Sequence, residues 1–268
     1  MIWFDGRLSA GGTIPLDATD RGLLLGDGVF ETIGVFNRSP FALGAHLDSL
    51  AAAAGVLGFA VPMATVERAV ADLVAAMPGP HGAIRVTVSR GAGPRGLLPP
   101  ASSLPIVLAS LAPWTPAMAF QPVALATVSI RRNETSPLSR LKTLAYLDNV
   151  LALAEAKGAG ADDALMLNTR GRVAGSAMAN LFALIGGELV TPPVGDGVRP
   201  GIMRAFLIET AGAGERSLTS ADLAGAPLFL TNSLRLLLPV AMLDGQAVPP
   251  VPPHYTDMLR RACGLAED

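Results

Sequence analysis

Only two lysines occur in the 268-residue sequence, Lys142 and Lys157, so covalent lysine chemistry has two candidates. Lys157 reads as a solvated cation in the last turn of a helix, where the helix dipole favours it. Lys142 differs, because Leu141, Thr143 and Leu144 beside it are apolar or small. A lysine in poorly hydrated surroundings has its pKa lowered, which frees the neutral amine to act as a nucleophile.

Two segments have the makings of an anion site. Gly201 followed by Ile202, Met203 and Arg204 would place unpaired backbone N–H groups at a helix start, where the dipole favours a phosphate. Thr231-Asn232-Ser233-Leu234, following a strand, offers hydroxyl and amide donors. The glycine- and proline-rich stretch from Ser89 to Pro100 holds Arg90 and Arg95, and a planar guanidinium on such a loop suits a carboxylate.

Composition narrows the chemistry. A net charge of -2 with scattered basic residues argues against a nucleic-acid partner, because phosphate backbones need a concentrated basic face. No apolar run reaches the roughly 18 residues of a membrane span. His46, His81 and His254 lie far apart in sequence and Cys263 is the single cysteine, so no metal site is expected and the chain reads as cytoplasmic.

The elements that must position these residues follow from hydrophobic period. A hairpin-like start at Met1–Leu8, an apolar run at Gly28–Phe36, helices at His46–Leu57 and Ala64–Met77, and strands at Ala83–Ser89 and Ile106–Leu111 are expected. Residues 1–112 would form a smaller α/β domain, residues 113–122 a proline-punctuated linker, and residues 123–268 a larger α+β domain carrying Lys142. In the latter, Val123–Ile130 is extended. Ser136-Pro137 to Gly158 then reads as one helix with Lys142 in its first turns. Strands follow at Ala164–Leu167 and up to Val190, then a helix at Ile202–Thr210 and a strand at Leu228–Thr231.

The motifs, in order, resemble those of the class IV aminotransferase family, which includes D-amino-acid and branched-chain aminotransferases and aminodeoxychorismate lyase. They are R-G-L-L-L-G-D-G-V-F-E-T-I at Arg21–Ile33, the loop at Ser89–Pro100, S-P-L-S-R-L-K-T-L-A-Y-L-D-N-V-L-A at Ser136–Ala152, A-N-L-F at Ala179–Phe182, R-P-G-I-M-R at Arg199–Arg204 and L-T-N-S-L-R-L-L-L-P-V at Leu230–Val240. The resemblance implies an α+β, two-domain fold type IV homodimer that uses pyridoxal 5'-phosphate on small amino- and keto-acid substrates. It gives Lys142 the Schiff-base role. It further implies cofactor contacts from Tyr146, Gly175, Ser176, Gly201, Ile202, Met203, Asn232 and Ser233, and substrate contacts from Phe30, Arg95, Leu97, Ser233 and Leu234.

Two positions depart from that pattern. Where the family reads H-x-x-R-L, with the arginine on the cofactor phosphate, this chain has His46-Leu47-Asp48-Ser49-Leu50. Gly175 stands where the family places a glutamate that pairs with the pyridine nitrogen. A charge-assisted bond of this kind is worth about 1.5 to 3 kcal/mol, so loss of both weakens cofactor binding unless another residue, Arg172 for example, replaces them. Ala145 replaces an asparagine of many relatives. Three functions stay open: amino-group transfer, elimination of pyruvate from aminodeoxychorismate to give 4-aminobenzoate, and binding without turnover.

Overall fold

The computed structural model describes residues 1–265. Its backbone forms two compact units, one of Met1–Thr115 with Leu141–Ala145, the other of Pro116–Arg140 with Tyr146 onward.

The first unit contains β1 (Ile2–Phe4), β2 (Arg7–Ser9), α1 (Arg21–Leu25), β3 (Gly28–Phe36), β4 (Ser39–Pro40), α2 (Leu43–Leu57), α3 (Met63–Ala75), β5 (Gly82–Ser89) and β6 (Ile106–Pro113). Asp5-Gly6 and Asn37-Arg38 have positive φ at both central residues, the twist that lets two-residue turns close the β1–β2 and β3–β4 hairpins. The six strands pair antiparallel in the order β2-β1-β6-β5-β3-β4. Strand alternation sorts the side chains. Val29, Ile33 and Val35 of β3 and Ile84, Val86 and Val88 of β5 join Leu50 of α2 and Leu73 of α3 in the core. Each such fully buried aliphatic side chain contributes about 1.5–3 kcal/mol before entropic costs. The positions between them, Phe30 and Thr32 on β3 and Arg85 and Thr87 on β5, share the opposite face, with Phe30 paired to Thr87 and Thr32 to Arg85.

The second unit contains β7 (Val123–Arg132), a short 3₁₀ turn at Pro137–Arg140, α4 (Leu147–Gly158), β8 (Asp163–Asn168), β9 (Val173–Ser176), β10 (Asn180–Ile185), β11 (Glu188–Thr191), α5 (Ile202–Ala211), β12 (Gly214–Glu215), α6 (Ser220–Leu223), β13 (Leu228–Asn232), β14 (Leu236–Leu243), β15 (Gln246–Ala247) and α7 (His254–Ala262). Eight strands run in the order β12-β11-β10-β13-β14-β7-β8-β9, and β15 pairs with β14. β7 lies parallel to both β14 and β8, and α4 makes the crossover that a parallel β7–β8 pair requires. β8 is buried along its whole length, which is why Ala164–Leu167 reads as an unbroken apolar run. No helix among the described residues is long and apolar enough to cross a membrane.

The expected single helix from Ser136 to Gly158 is corrected. Only Pro137–Arg140 and Leu147–Gly158 are helical, and Lys142 lies between them in an extended segment. The Phe30 N–H donates to Lys142 O and the Leu144 N–H to Gly28 O, each at 2.9 Å, while Thr143 bridges Val29. Backbone groups committed to β3 cannot also close helical turns, so the segment becomes an added edge of the first unit's sheet.

Candidate active site

Phe30 is the fixed point around Lys142. The strand bond between them holds Lys142 Nζ 4.3 Å from the centroid of the Phe30 ring. The guanidinium carbon of Arg85, one strand over on the same face, lies 3.6 Å from that centroid, and Arg85 Nε donates to Thr87 Oγ1 at 3.3 Å. Phe30 is buried, Lys142 half-buried and Arg85 exposed, so a planar, charged fork stands at the surface beside the lysine. The sequence reading missed Arg85. The signal was present in the alternation of Gly82–Ser89, which puts Arg85 and Thr87 on the face away from the apolar Ile84, Val86 and Val88.

Glycines let the chain approach this lysine closely. A Cβ on Gly28 would sit 2.7 Å from Leu144 Cδ1, and one on Gly26, whose φ is +68°, within 3.2–3.3 Å of Ala145. The absence of side chains at these positions is therefore a packing requirement of the Lys142 segment.

On the other face of β3, Glu31 is buried and accepts hydrogen bonds from His46 Nδ1 and from Ser49 Oγ, both at 2.9 Å. His46 Nε2 is buried with no hydrogen-bond partner. Ser49 thus turns its hydroxyl to a carboxylate of its own unit. Arg95 and Leu97 are exposed on the loop between β5 and β6, Leu97 at 82% of its surface.

In the second unit the two segments expected to hold a phosphate group are joined through Asn180. Asn180 is paired in register with Thr231 across β10 and β13 and donates to Arg199 O at 2.8 Å. Gly201 packs so tightly on Asn180 that a Cβ there would come 2.1 Å from Asn180 Oδ1. Gly201 caps α5 with no side-chain hydrogen bond, leaving the N–H end at Ile202 and buried Met203 uncapped by side chains. Asn232 Oδ1 accepts from the N–H groups of Leu234 and Arg235 at 3.0 and 2.8 Å, and Asn232 Nδ2 donates to Met178 O at 3.4 Å. Asn232 therefore shapes the turn. The hydroxyl of half-buried Ser233 forms no hydrogen bond to any described residue.

Gly175 and Ser176 are buried at the end of β9. Gly175 has φ +104°, and a Cβ there would stand 3.0 Å from Ala179 O. Ser176 Oγ donates to Asp163 Oδ2 at 2.7 Å and accepts from the N–H groups of Met178 and Ala179. Burial raises the pKa of Asp163 against the opposing hydrogen bonds from Ser176, Ala164 and Ala177. Tyr146 precedes α4 as its N-cap residue. Burial lowers the pKa of Arg132 on β7, while the nearby Tyr146 and Asp148 act the other way. Arg132 Nε is buried and unpartnered, and Nη2 meets only the sulfur of Met166, at 3.3 Å. Arg172 is exposed on the turn before β9, its backbone N–H on Asn168 Oδ1. Sequence reading singled out neither Arg132 nor Asp163, because nothing local distinguishes a buried ion from a solvated one.

The family model for amino-transferase class IV matches residues 28–243, and the chain belongs to that family. A putative branched-chain-amino-acid aminotransferase of Methanocaldococcus jannaschii is 32% identical over 92% of this chain and 89% of its own length. The branched-chain aminotransferase of Thermoproteus uzoniensis, solved with norvaline, superposes with a TM-score of 0.90 at 28% identity, covering 99% of this chain and 95% of that one. The 4-amino-4-deoxychorismate lyase of Pseudomonas aeruginosa superposes at 0.85 with 33% identity, over 97% and 98% of the two chains. The fold is the fold type IV arrangement of these enzymes, and the protein is an enzyme of a family that depends on pyridoxal phosphate.

Proposed function

We propose that the protein is a pyridoxal-phosphate-dependent aminotransferase that moves an amino group between a small amino acid and a 2-oxo acid. The observation that carries this reading is Arg85 and Lys142 on one aromatic ring, 3.6 and 4.3 Å from its centroid. Transamination of an amino acid needs a nucleophilic amine at the reacting carbon and a receptor for the carboxylate attached to it, and the two cations supply these roles. Phe30 sets their separation because both are stacked on it.

Each unit offers groups that suit the cofactor. Lys142 Nζ would hold its aldehyde carbon. The uncapped N-terminus of α5 at Ile202 and Met203, with the hydroxyl of Ser233, would hold its phosphate, and Gly201, Asn232 and Leu234 shape those two turns. Tyr146, with Arg132 beside it, would take the ring hydroxyl, and Gly175 and Ser176 would line the ring edge. When bound, the cofactor supplies an electron sink for the charge left at the substrate carbon. With the cofactor in place, Lys142 Nζ would act as the base that removes the proton from that carbon and as the acid that delivers it to the cofactor's aldehyde carbon, so that the amino group leaves the substrate. Arg85, Arg95, Leu97 and Phe30 orient the substrate, Arg85 and Arg95 through its carboxylates and Leu97 and Phe30 through its apolar part.

The likeness to the Pseudomonas aeruginosa lyase favours a second reading, elimination of pyruvate from aminodeoxychorismate. A homodimer in the cytoplasm is part of the proposal, supported by the exposed Leu98 and Leu104 on one loop and by a single, buried cysteine. The test is borohydride reduction of protein incubated with pyridoxal phosphate, followed by peptide mapping. Turnover assays accompany it, with L-leucine or D-alanine plus 2-oxoglutarate, and with aminodeoxychorismate. Lys142 carries the reduced adduct, and Lys142→Ala loses both the adduct and roughly a thousandfold of activity. An adduct elsewhere, or full activity in the variant, overturns the reading.

A further inference from the structure

Asn180 opens β10, a strand whose next residues, Leu181, Phe182 and Ala183, are apolar and buried. It is itself only 7% exposed, and its backbone and side chain serve different neighbours. The backbone pairs with Thr231, two residues before Ser233. The amide turns instead to the stretch that leads into α5. Its Nδ2 donates to Arg199 O at 2.8 Å, and its Oδ1 lies where a Cβ on Gly201 would come within 2.1 Å.

Arg199 O accepts a second bond, from Gly201 N–H at 2.9 Å, which closes a tight turn about Pro200. Gly201 is extended, with φ -74° and ψ 149°, and its carbonyl accepts the first bond of the helix, from Ala205 N–H at 2.9 Å. The N–H groups of Ile202 and Met203 precede that bond and follow directly on the residues that Asn180 touches. The turn after β13 is held as firmly. Thr231 Oγ1 donates to Leu236 O, and Leu236 has φ +57°, a conformation that a leucine keeps only where its surroundings impose it. Asn232 Oδ1 accepts from the N–H groups of Leu234 and Arg235 within the same turn. Two well-defined sets of donors therefore flank Asn180, one reached by its amide and the other by its strand pairing.

We infer that Asn180 is a positioning residue for phosphate: its amide sets the spacing between the N–H end of α5 and the Ser233 hydroxyl, so that both reach one phosphate group. The inference deepens the functional reading above, from which it takes the phosphate. A neutral donor is needed at this place. A carboxylate would repel Arg199 O and would itself occupy the positive end of the α5 dipole.

Asn180→Ala separates this role from a purely structural one. Dissociation constants are measured by absorbance on the full chain for pyridoxal phosphate and for pyridoxal, which has the aldehyde and lacks the phosphate. The melting temperature of the cofactor-free full chain is measured with and without inorganic phosphate. In the variant the constant for pyridoxal phosphate rises about tenfold, while that for pyridoxal stays within about threefold of wild type. Inorganic phosphate raises the melting temperature of the wild type and not that of the variant. Asn180→Asp, nearly equal in size, covers a failure of the alanine variant to fold: it exchanges the donor for a charge at the helix end and weakens pyridoxal phosphate at least as much. An unchanged constant for pyridoxal phosphate overturns the inference. So does an equal loss for both aldehydes, which marks a residue that holds the fold alone. Absence of a reduced adduct on Lys142 in the wild-type protein is instead failure of the functional reading. The melting shift with inorganic phosphate then still decides on Asn180, and an equal shift in wild type and variant, or none in either, overturns its role.

Discussion

In the first unit the hydroxyl of Ser49 reaches the buried carboxylate of Glu31 at 2.9 Å, and in the second the hydroxyl of Ser176 reaches the buried carboxylate of Asp163 at 2.7 Å. Each pair lies where the resemblance marks a departure, Ser49 where it leads one to expect an arginine and Ser176 next to Gly175, where it leads one to expect a glutamate. The two departures are built at different levels. Ser49 sits within α2, at a backbone position any helix-forming residue can occupy. Gly175 has φ +104° with Ala179 O 3.0 Å from where its Cβ would be, so its backbone strains any side chain placed there. A side-chain departure can be reversed by one substitution, whereas a departure absorbed into the backbone cannot.

That difference is most sharply broken or upheld by Gly175→Glu. A side chain at this φ, pressed on a carbonyl oxygen, costs about 2–4 kcal/mol through backbone strain and overpacking together. The urea midpoint falls accordingly, and affinity for pyridoxal phosphate does not improve. Gly175→Ala shows most of the same loss, because the strain begins at Cβ. Tighter cofactor binding by Gly175→Glu at unchanged stability would remove the distinction. Ser49→Arg is the converse case. The guanidinium faces Glu31, which can orient it as it now orients Ser49, and a restored charge-assisted anchor of about 1.5 kcal/mol tightens the dissociation constant for pyridoxal phosphate roughly tenfold. Fluorescence or absorbance titration checks this, and an unchanged constant would show that the phosphate is held without help from α2.

The same contrast between local and non-local causes governs what could be read from the sequence. β3, β5, α2, α3 and α5 follow from runs whose period is set by their own burial, and they lie within a few residues of the expected spans. Lys142 was identifiable as a chemical candidate from its type and its neighbours. Its conformation was not, because Ser136-Pro137 and the spacing of Leu141, Leu144 and Leu151 satisfy a helix pattern. What prevents the helix is pairing with Gly28–Phe30, more than a hundred residues earlier, which no local window contains. Arg85 was passed over for a related reason: in its own strand it is an ordinary exposed position. It gains meaning only from the register that sets Phe30 opposite Thr87. The pairing of Asp27 Oδ2 with Arg21 Nε and Arg90 Nε, each at 2.8 Å, is likewise invisible until the β5–β6 loop folds back onto α1. Gly175 shows the limit most plainly. The resemblance marked it as a departure, but only its φ shows that a side chain there would be strained.

The smallest effect concerns the two carboxylates as titrating groups. Burial raises the pKa of Asp163, so between the ordinary value of 3.8 and the elevated one the folded protein binds more protons than the unfolded chain. In that window stability falls as pH rises, and the contribution is fully present only below the unfolded value. Asp27 has the opposite sign: its lowered pKa makes its contribution present above the unfolded value and lost as pH falls. Asp163→Asn removes the first titration and leaves the second. Its amide oxygen can still accept from Ser176, while its NH₂ must find an acceptor. The stability of wild type relative to Asp163→Asn therefore declines as pH rises above the ordinary carboxylate range, measured by urea unfolding at each pH. A difference that grows with pH instead would mean that Ser176, Ala164 and Ala177 stabilise the charged form more than burial disfavours it.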